Sequence, residues 1–398
     1  MSESQKHKLL SGVRVLDLSR LFPGPLCSLH LADMGADVIK IEDTQGGDYA
    51  RWIPPLKRTY SELFLIVNRN KRSIRLDYTK PGGRDVLFKL IETADVLIEG
   101  FRPGLMASWG IDYQELKKIN PRLVYCAISG YGQSGPLSKR PGHDLNFISY
   151  AGILAQNGLS EDLPPAIPNN QIGDIVGGSL MAVMGILAAL LSQRNTGNGQ
   201  YVDVSMLDGV LAHTAILLST YQTLGHLLPR GGDLLSGMMP FYRLYKTQDS
   251  RFISLAALEH KFWKRFCLCI EKPELVDKHY VFGEEAAQIV TEVQLVIQQK
   301  TLSEWVSILE QADCCASPVL DLSETLTHPQ IAARNMFIQT QHPTEGAVSQ
   351  FAFPVQFSDA SFEISRNAPH YGEHTAEILS ELGYQEADIQ KLKEIQII

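Results

Sequence analysis

The chain has 398 residues, of which 44% are hydrophobic and 20% are charged, and its formal net charge is −8. This length predicts two domains, and the composition is that of a globular protein and excludes a disordered one. Because an acidic surface does not attract a phosphate backbone or an anionic membrane, we expect neither nucleic acid nor membrane as a partner.

The first third of the chain alternates between strand and helix patterns. Strands are predicted over residues 13–18, 37–41, 95–99 and 123–129, and helices over residues 26–34 and 83–93. Strands that alternate with helices form βαβ units. This part of the chain is therefore predicted to be an α/β layer with a largely parallel sheet.

Basic residues cluster in segment 68–73, which is predicted to be a loop. Arg69, Lys71 and Arg72 lie there, in a protein that is acidic overall. Such a loop could hold an anionic ligand such as a nucleotide phosphate, and Lys40 and Arg102 follow other strands in the same way. A solvated basic loop is the alternative interpretation.

Gly130-Tyr-Gly-Gln-Ser-Gly135 has the G-x-G-x-x-G spacing and follows a predicted strand. A dinucleotide site needs a helix that begins within the glycines, whereas Pro136 and Pro141 keep this segment extended. We therefore expect no nicotinamide or flavin cofactor.

The six cysteines form no C-x-x-C pair and have no histidine at ligand spacing, so we expect no metal and a reducing compartment. The first ten residues contain no apolar stretch typical of a signal peptide. The expected localisation is cytoplasmic.

His143 lies in Gly142-His-Asp-Leu-Asn146, between the extended loop and a predicted helix. A histidine at such an entry can face a cleft and act as an acid-base group. The alternative is that Asp144 or Asn146 caps the helix and His143 is an ordinary surface or core residue.

Asp174 is predicted at the start of a long apolar helix that reaches Arg194. A helix N-terminus stabilises a carboxylate, so an ordinary N-cap is the alternative to a functional role. Gly177 and Gly178 cost helix stability, which indicates that another group approaches the backbone closely there. The apolar run 176–191 is too short to span a bilayer and is predicted to be a core helix.

A smaller domain is predicted after the glycine-rich segment 231–237. It contains strands near residues 241–245 and 252–256, followed by amphipathic helices to about residue 311. Glu259 follows the second of these strands, where a working group or a glutamate that interacts with a helix dipole would both fit. The tail is predicted to be irregular until a last helix near residues 375–382.

Six motifs spread over nearly the whole chain resemble those of one family. They are Leu10-Ser-Gly-Val-Arg-Val-Leu-Asp-Leu18, Leu31-Ala-Asp-Met-Gly-Ala-Asp-Val-Ile-Lys-Ile-Glu42, Asn70-Lys-Arg-Ser73, Gly100-Phe-Arg-Pro-Gly104, Gly130-Tyr-Gly-Gln-Ser-Gly-Pro136 and Thr196-Gly-Asn-Gly-Gln200. Together they resemble the family III coenzyme A transferases and α-methylacyl-CoA racemases.

The resemblance implies an α/β fold and an interlocked homodimer. Each subunit would have a Rossmann-like large domain built from both chain ends and a small central α+β domain. The implied boundaries are residues 1–200 for the first part of the large domain, 201–230 for a linker helix, 231–320 for the small domain and 321–398 for the returning tail. Coenzyme A would enter as part of the substrate, with no other cofactor.

The resemblance also implies which residues bind the substrate. The acyl tail would contact Met238 and Met239, since thioethers adapt to irregular apolar shapes. The coenzyme A moiety would contact Lys40, Arg72, Leu76, Gly100, Phe101, Arg102 and Gly142.

The racemase branch is favoured because Pro141-Gly-His-Asp-Leu-Asn-Phe147 and Leu258-Glu-His-Lys-Phe-Trp263 look like racemase motifs. Ser236-Gly-Met-Met-Pro240 also lacks the run of consecutive glycines of the formyl-type transferases. His143 and Asp174 would then exchange the α-proton of a 2-methylacyl-CoA, with Glu259 orienting His143. The alternative is a CoA transferase in which Asp174 forms an acyl anhydride.

Overall fold

The protein divides into two units in the computed structural model, which describes residues 8–398. The first unit comprises the chain up to Ala151, together with Asn170–His213 and Pro329–Ile398. The second comprises Gly152–Asn169 and Thr214–His328. The first unit is therefore built from both ends of the chain.

The strands are, in chain order, β1 (Arg14–Asp17), β2 (Asp37–Glu42), β3 (Lys71–Arg75), β4 (Val96–Glu99), β5 (Val124–Ser129), β6 (Tyr201–Ser205), β7 (Tyr242–Lys246), β8 (Phe252–Ala256), β9 (Ala316–Pro318), β10 (Phe337–His342) and β11 (Gly346–Phe351).

The α-helices are α1 (Pro23–Asp33), α2 (Glu62–Val67), α3 (Pro81–Glu92), α4 (Leu105–Ser108), α5 (Tyr113–Ile119), α6 (Asp144–Tyr150), α7 (Ile153–Gln156), α8 (Met181–Thr196), α9 (Met206–Leu211), α10 (Ala215–Leu224), α11 (His260–Cys269), α12 (Gly283–Ile297), α13 (Leu302–Ala312), α14 (Leu322–Thr327), α15 (Pro329–Ala333), α16 (Thr375–Glu381) and α17 (Glu386–Glu394). A π-helical segment, Gly173–Leu180, leads directly into α8, and 3-10 turns span Tyr49–Trp52 and Pro273–Leu275.

The first unit is organised by a six-stranded sheet with the order β3-β2-β1-β4-β5-β6. Each neighbouring pair is parallel, as the alternation of strands and helices predicts. The order reverses between β1 and β4, and ligands of open parallel sheets bind at the carboxyl ends of the strands at such a point. The fold therefore places a ligand site beside the loops after β1 and β4.

Both faces of this sheet are covered by apolar side chains. One face packs Leu16, Ile39 and Leu97 against α3 and against the tail, including Ile378 and Ile398. The other face packs side chains such as Val15 and Val38 against α1 and α8. The returning tail thus completes one of the two cores of the first unit.

The basic segment 68–73 is not a solvated loop, which corrects the sequence-based prediction. Lys71 and Arg72 begin the edge strand β3, and Arg69 precedes it with its side chain buried. Lys71 contacts Asp17 at 3.3 Å, and Arg69 contacts Asp33 at 2.7 Å. These cations neutralise buried carboxylates, so they are structural charges.

The second unit contains the antiparallel sheet β7-β8-β9 and helices α10 to α14. Its core includes the buried rings of Trp263 and Trp305. The segment 201–230 is not one linker helix. It begins with the edge strand β6 of the first unit, continues as α9 and α10, and changes unit after His213.

The tail also differs from the sequence-based prediction, because it is not irregular before its last helix. β10 and β11 form an antiparallel hairpin, and α17 follows α16. The Arg72 guanidinium holds this tail to the sheet through Glu381 of α16 at 2.6 Å.

The helical stretch Gly173–Thr196 is long and apolar enough to cross a membrane by length and composition alone, with a mean hydropathy of 2.2. Its buried side packs in the core, whereas Leu180, Met184 and Leu191 are exposed. In α10 none of the residues is buried. These two helices present apolar surface that the described subunit leaves uncovered.

Candidate active site

A cavity of about 370 Å³ lies at the carboxyl edge of the large sheet. Gly100 to Pro103, after β4, form one side, and Ile128 to Gly130, at the end of β5, form another. His143 and Tyr49 also line the cavity, and both have side chains that can exchange a proton. The cavity therefore includes the loop after β4, which borders the point where the strand order reverses.

His143 occupies the N-cap position of α6 and is exposed to this cavity. Its backbone N–H donates to the Asn146 side chain at 3.0 Å, and its carbonyl accepts from the Asn146 N–H at 2.8 Å. The backbone thus fixes the position of His143 while its imidazole lines the cavity. Such an imidazole suits an acid-base group.

Asp174 is the second residue of the π-helical segment rather than the N-cap of an α-helix. Single-turn π segments occur frequently at functional sites. A side chain at Gly177 would meet the carbonyl oxygen of Met206, since a Cβ built there lies 2.2 Å from it. The expected close approach to this glycine is therefore confirmed, and the partner is the start of α9.

The Asp174 carboxyl group lies in an unfavourable electrostatic position. It is 9% exposed, and no donor within residues 8–398 is hydrogen-bonded to its oxygens. Burial and the neighbouring Asp144 carboxylate raise the pKa of Asp174 from 3.8 to about 7. The helix N-terminus, which favours a charged carboxylate, is outweighed because it contributes only about 0.3–2 kcal/mol. Asp174 can therefore exchange a proton near neutral pH.

Asp174 does not line the cavity, but it lies near His143 through Asp144. The Asp174 N–H donates to the Asp144 carboxylate at 3.1 Å, and Asp144 directly follows His143. That bond and the Ile175 N–H bond to Gln171 at 2.8 Å occupy two donors at the helix start. These two N–H groups therefore already have acceptors within the chain.

No sequence pattern predicts the place of two residues near this site, Asp144 and Tyr49. Asp144 was considered only as a helix cap, although its carboxylate faces the Asp174 backbone. Tyr49 borders the cavity, and burial together with the Asp48 and Asp174 carboxylates raises its pKa. Because Tyr49 comes from a distant 3-10 turn, no local motif indicates its position.

Two arginines border the cavity and form no ion pair in the described part of the chain. Arg102 follows β4, and Arg140 precedes the His143 motif. Guanidinium groups bind phosphates through paired N–H donors. Gly142 packs closely in the same wall, because a Cβ there would lie 2.7 Å from the Tyr131 hydroxyl. Phe101 and Gly100 complete this predicted coenzyme A surface.

Three other residues predicted to bind coenzyme A have their side chains enclosed within the subunit. Lys40 is fully buried, 2.8 Å from Asp48, and it also donates to the Ser19 carbonyl. Arg72 is held by the carboxylates of β2 and α16, and Leu76 lies in a sheet core. Each of these side chains already has an internal partner, and their contact with coenzyme A stays a prediction.

The second unit carries the remaining predicted residues. Glu259 is the N-cap of α11, and its exposed side chain makes no capping hydrogen bond. Met238 is partly buried against the core of this unit. Met239 is fully buried in that core, and its place in an acyl pocket stays a prediction.

The arrangement can be compared with known proteins. A family model described as CoA-transferase family III matches residues 10–375. The chain belongs to CoA-transferase family III. This family III protein is similar to the human alpha-methylacyl-CoA racemase, with 34% identity that covers 98% of this chain and 97% of the relative. It is also similar to the succinyl-CoA:glutarate CoA-transferase of Mus musculus, with 31% identity over 98% of this chain and 90% of the relative.

The structural comparison agrees with the family. A crystal structure of a CAIB/BAIF family protein from Brucella suis matches with a TM-score of 0.82 and 29% identity. The match covers 95% of this chain and 100% of that protein. The mixed α/β fold with a large parallel sheet is thus the fold of this family, and its members with curated names include both racemases and CoA transferases.

Proposed function

We propose that this family III protein is an acyl-CoA racemase that exchanges the α-proton of 2-methylacyl-CoA thioesters. The observation that carries this proposal is a carboxyl group with a pKa near 7, Asp174, linked through Asp144 to His143 at the cavity. Racemisation needs two acid-base groups that work near neutral pH on opposite faces of one carbon. The likeness to the human racemase supports the same choice.

In this mechanism Asp174 and His143 alternate as base and acid. For one epimer the Asp174 carboxylate removes the α-proton, and protonated His143 returns a proton to the opposite face of the enolate. For the other epimer the roles are exchanged. The thioester keeps all its bonds to carbon and sulfur, and only one C–H bond is broken and re-formed. Arg102 and Arg140 would hold the phosphates of coenzyme A.

The proposed assembly is an interlocked homodimer. Its support is that α8 in the first unit and α10 in the second each carry exposed apolar side chains, and exposed apolar surface marks an interaction site. Within the dimer, Glu259 would orient the imidazole of His143, and Met238 would contact the acyl tail. Sedimentation equilibrium should give twice the chain mass of 44.2 kDa. A monomer at micromolar concentration would contradict the proposal.

Exchange of the α-proton in heavy water tests the activity directly. Each pure epimer of a 2-methylacyl-CoA, offered without a free acid, should acquire deuterium at the α-carbon and lose optical purity. Mass spectrometry and chiral separation of the released acids measure both changes. Deuterium uptake that needs a second carboxylic acid, or none at all, would end the racemase proposal.

CoA transfer is the second candidate, because the mouse succinyl-CoA:glutarate relative covers almost the same length of this chain. In that reaction the Asp174 carboxylate would attack the thioester carbonyl and release the CoA thiolate. A carboxyl group with a pKa near 7 is partly protonated at neutral pH and is then a poor nucleophile. A hydroxylamine-sensitive adduct on Asp174 after incubation with acyl-CoA would favour transfer.

A further inference from the structure

A second cavity, of about 350 Å³, lies over the β4-β5-β6 side of the large sheet. Register places Glu99 of β4, Ala127 of β5 and Asp203 of β6 in one row, so their side chains share one face. Of these three residues, Glu99 alone lines the cavity. Among the described residues that line it, Pro103 alone also borders the candidate active site.

Three tyrosines form an aromatic wall in this cavity: Tyr113, Tyr125 and Tyr201. The rings of Tyr125 and Tyr201 stack with centroids 5.3 Å apart, and Tyr113 lies 5.4 Å from Tyr201. The electron-rich faces of such rings attract cations. The Lys117 ammonium group already lies 5.6 Å from the Tyr113 ring.

Glu99 is a buried carboxyl group without a cation. Glu99 is 4% exposed. Its carboxyl group accepts a hydrogen bond from the Phe101 N–H at 2.6 Å and is also hydrogen-bonded to the Tyr125 side chain. Four other buried carboxyl groups of the first unit are paired with Lys or Arg: Asp17, Asp33, Glu42 and Asp48. Within residues 8–398, Glu99, Asp112 and Asp203 form no ion pair. The carboxyl groups of Glu99 and Asp112, which line the cavity, therefore have no basic partner in the described chain.

Gln133, which lines the cavity, holds an unused hydrogen-bond donor. The Nε2 atom of Gln133 is buried and has no hydrogen-bond partner, and Gln133 lines the cavity. Its backbone N–H is bound to Asp203 at 3.1 Å, which holds the residue there. Buried donors are almost always paired, so a bound acceptor would complete this site.

We propose that this cavity binds a small organic ammonium ion that also carries an oxygen acceptor. The charged nitrogen lies between Glu99 and the tyrosine wall, its alkyl groups contact the rings and Met106, and its oxygen accepts from Gln133. Mostly apolar cavities with a few convergent polar groups are the usual form of small-ligand sites. This site does not depend on the proposed racemase activity.

Binding is coupled to a proton. Burial and the Asp203 charge raise the pKa of Glu99 to about 8, so much of it is protonated at pH 7.5. The other titratable groups near it are Asp112, Tyr113, Tyr125 and Tyr201. A bound cation lowers this pKa, so the protein releases a proton and the affinity rises with pH.

Choline and its neutral isostere 3,3-dimethylbutan-1-ol test the site with the whole protein. Titration calorimetry should show that choline binds at least about tenfold more tightly than the isostere. Phenol red in unbuffered salt at pH 7.5 should report proton release with choline only. Equal affinities, or no choline binding at tens of millimolar, would overturn the proposal.

Two variants locate the binding. Glu99→Gln should remove both the preference for choline and the proton release, whereas Glu115→Gln, on the exposed face of α5, should change neither. Tyr201→Leu alters an exposed ring and should weaken choline binding several-fold while leaving the isostere almost unaffected. If Glu99→Gln does not fold, the choline affinity of Tyr201→Leu tests the site instead. An unchanged affinity in that variant would overturn the proposal.

Discussion

Replacing His143 or Asp174 by alanine is expected to lower racemisation of a 2-methylacyl-CoA by about 100- to 10,000-fold, because a positioned acid-base group contributes this much. The two variants should fail differently. Each keeps one base, so each should still exchange the α-proton of the single epimer that this base serves. Rates of deuterium uptake for the separate epimers in heavy water measure the difference.

The controls for this experiment are His226→Ala and Asp85→Asn, which alter exposed residues outside the cavity. Both should keep the activity of the natural protein. Complete exchange of both epimers in both alanine variants would show that neither group moves the proton. A His143→Ala variant with full CoA transfer, beside an inactive Asp174→Ala variant, would instead identify a transferase.

Asp174→Asn is expected to stabilise the protein at alkaline pH. The folded chain holds the pKa of Asp174 near 7, whereas the unfolded chain has a value near 3.8. Between these values the folded state binds more protons, so the free energy of unfolding falls as the pH rises through this window. Asparagine has no charge to bury, so at pH 8 the variant should be more stable by about 2–4 kcal/mol.

Urea unfolding at pH 4.5 and at pH 8 measures this effect. The difference should be clearly smaller at the lower pH, where the Asp174 carboxyl group is largely protonated in the folded state. Asp85→Asn is the matched control, because its side chain is exposed, and it should show no pH-dependent gain. An equal change at both pH values would mean that the charge of Asp174 is not the destabilising factor.

The predictions that succeeded follow from local patterns. Strands β1, β2, β4 and β5 were predicted to within one or two residues, because buried parallel strands are short apolar runs. The prediction failed for β3, since Lys71 and Arg72 resemble a solvated loop. The hairpin β10-β11 was missed because its strands, such as Phe337–His342, alternate polar and apolar residues weakly.

In the candidate site, too, residues in local motifs were predicted and residues brought together by the fold were not. The His143 and Asp174 motifs were visible in the sequence, and so were the residues after β4. The sequence did not show that Asp144 lies against Asp174, or that Tyr49 borders the cavity. The resemblance assigns Lys40 and Met239 to ligand binding, whereas in the structure Lys40 pairs with Asp48 and Met239 packs in the core of the second unit.

The amino-acid sequence by itself determined the alternating α/β pattern, the family and the two residues proposed for proton transfer. These depend on neighbours along the chain and on hydrophobic period, which are local. Only the tertiary structure decided which charges are neutralised: Lys71 and Arg69 meet carboxylates from other elements, whereas Asp174 and Glu99 meet none. The protonation of a buried carboxyl group depends on groups that are near in space, and folding alone sets that distance.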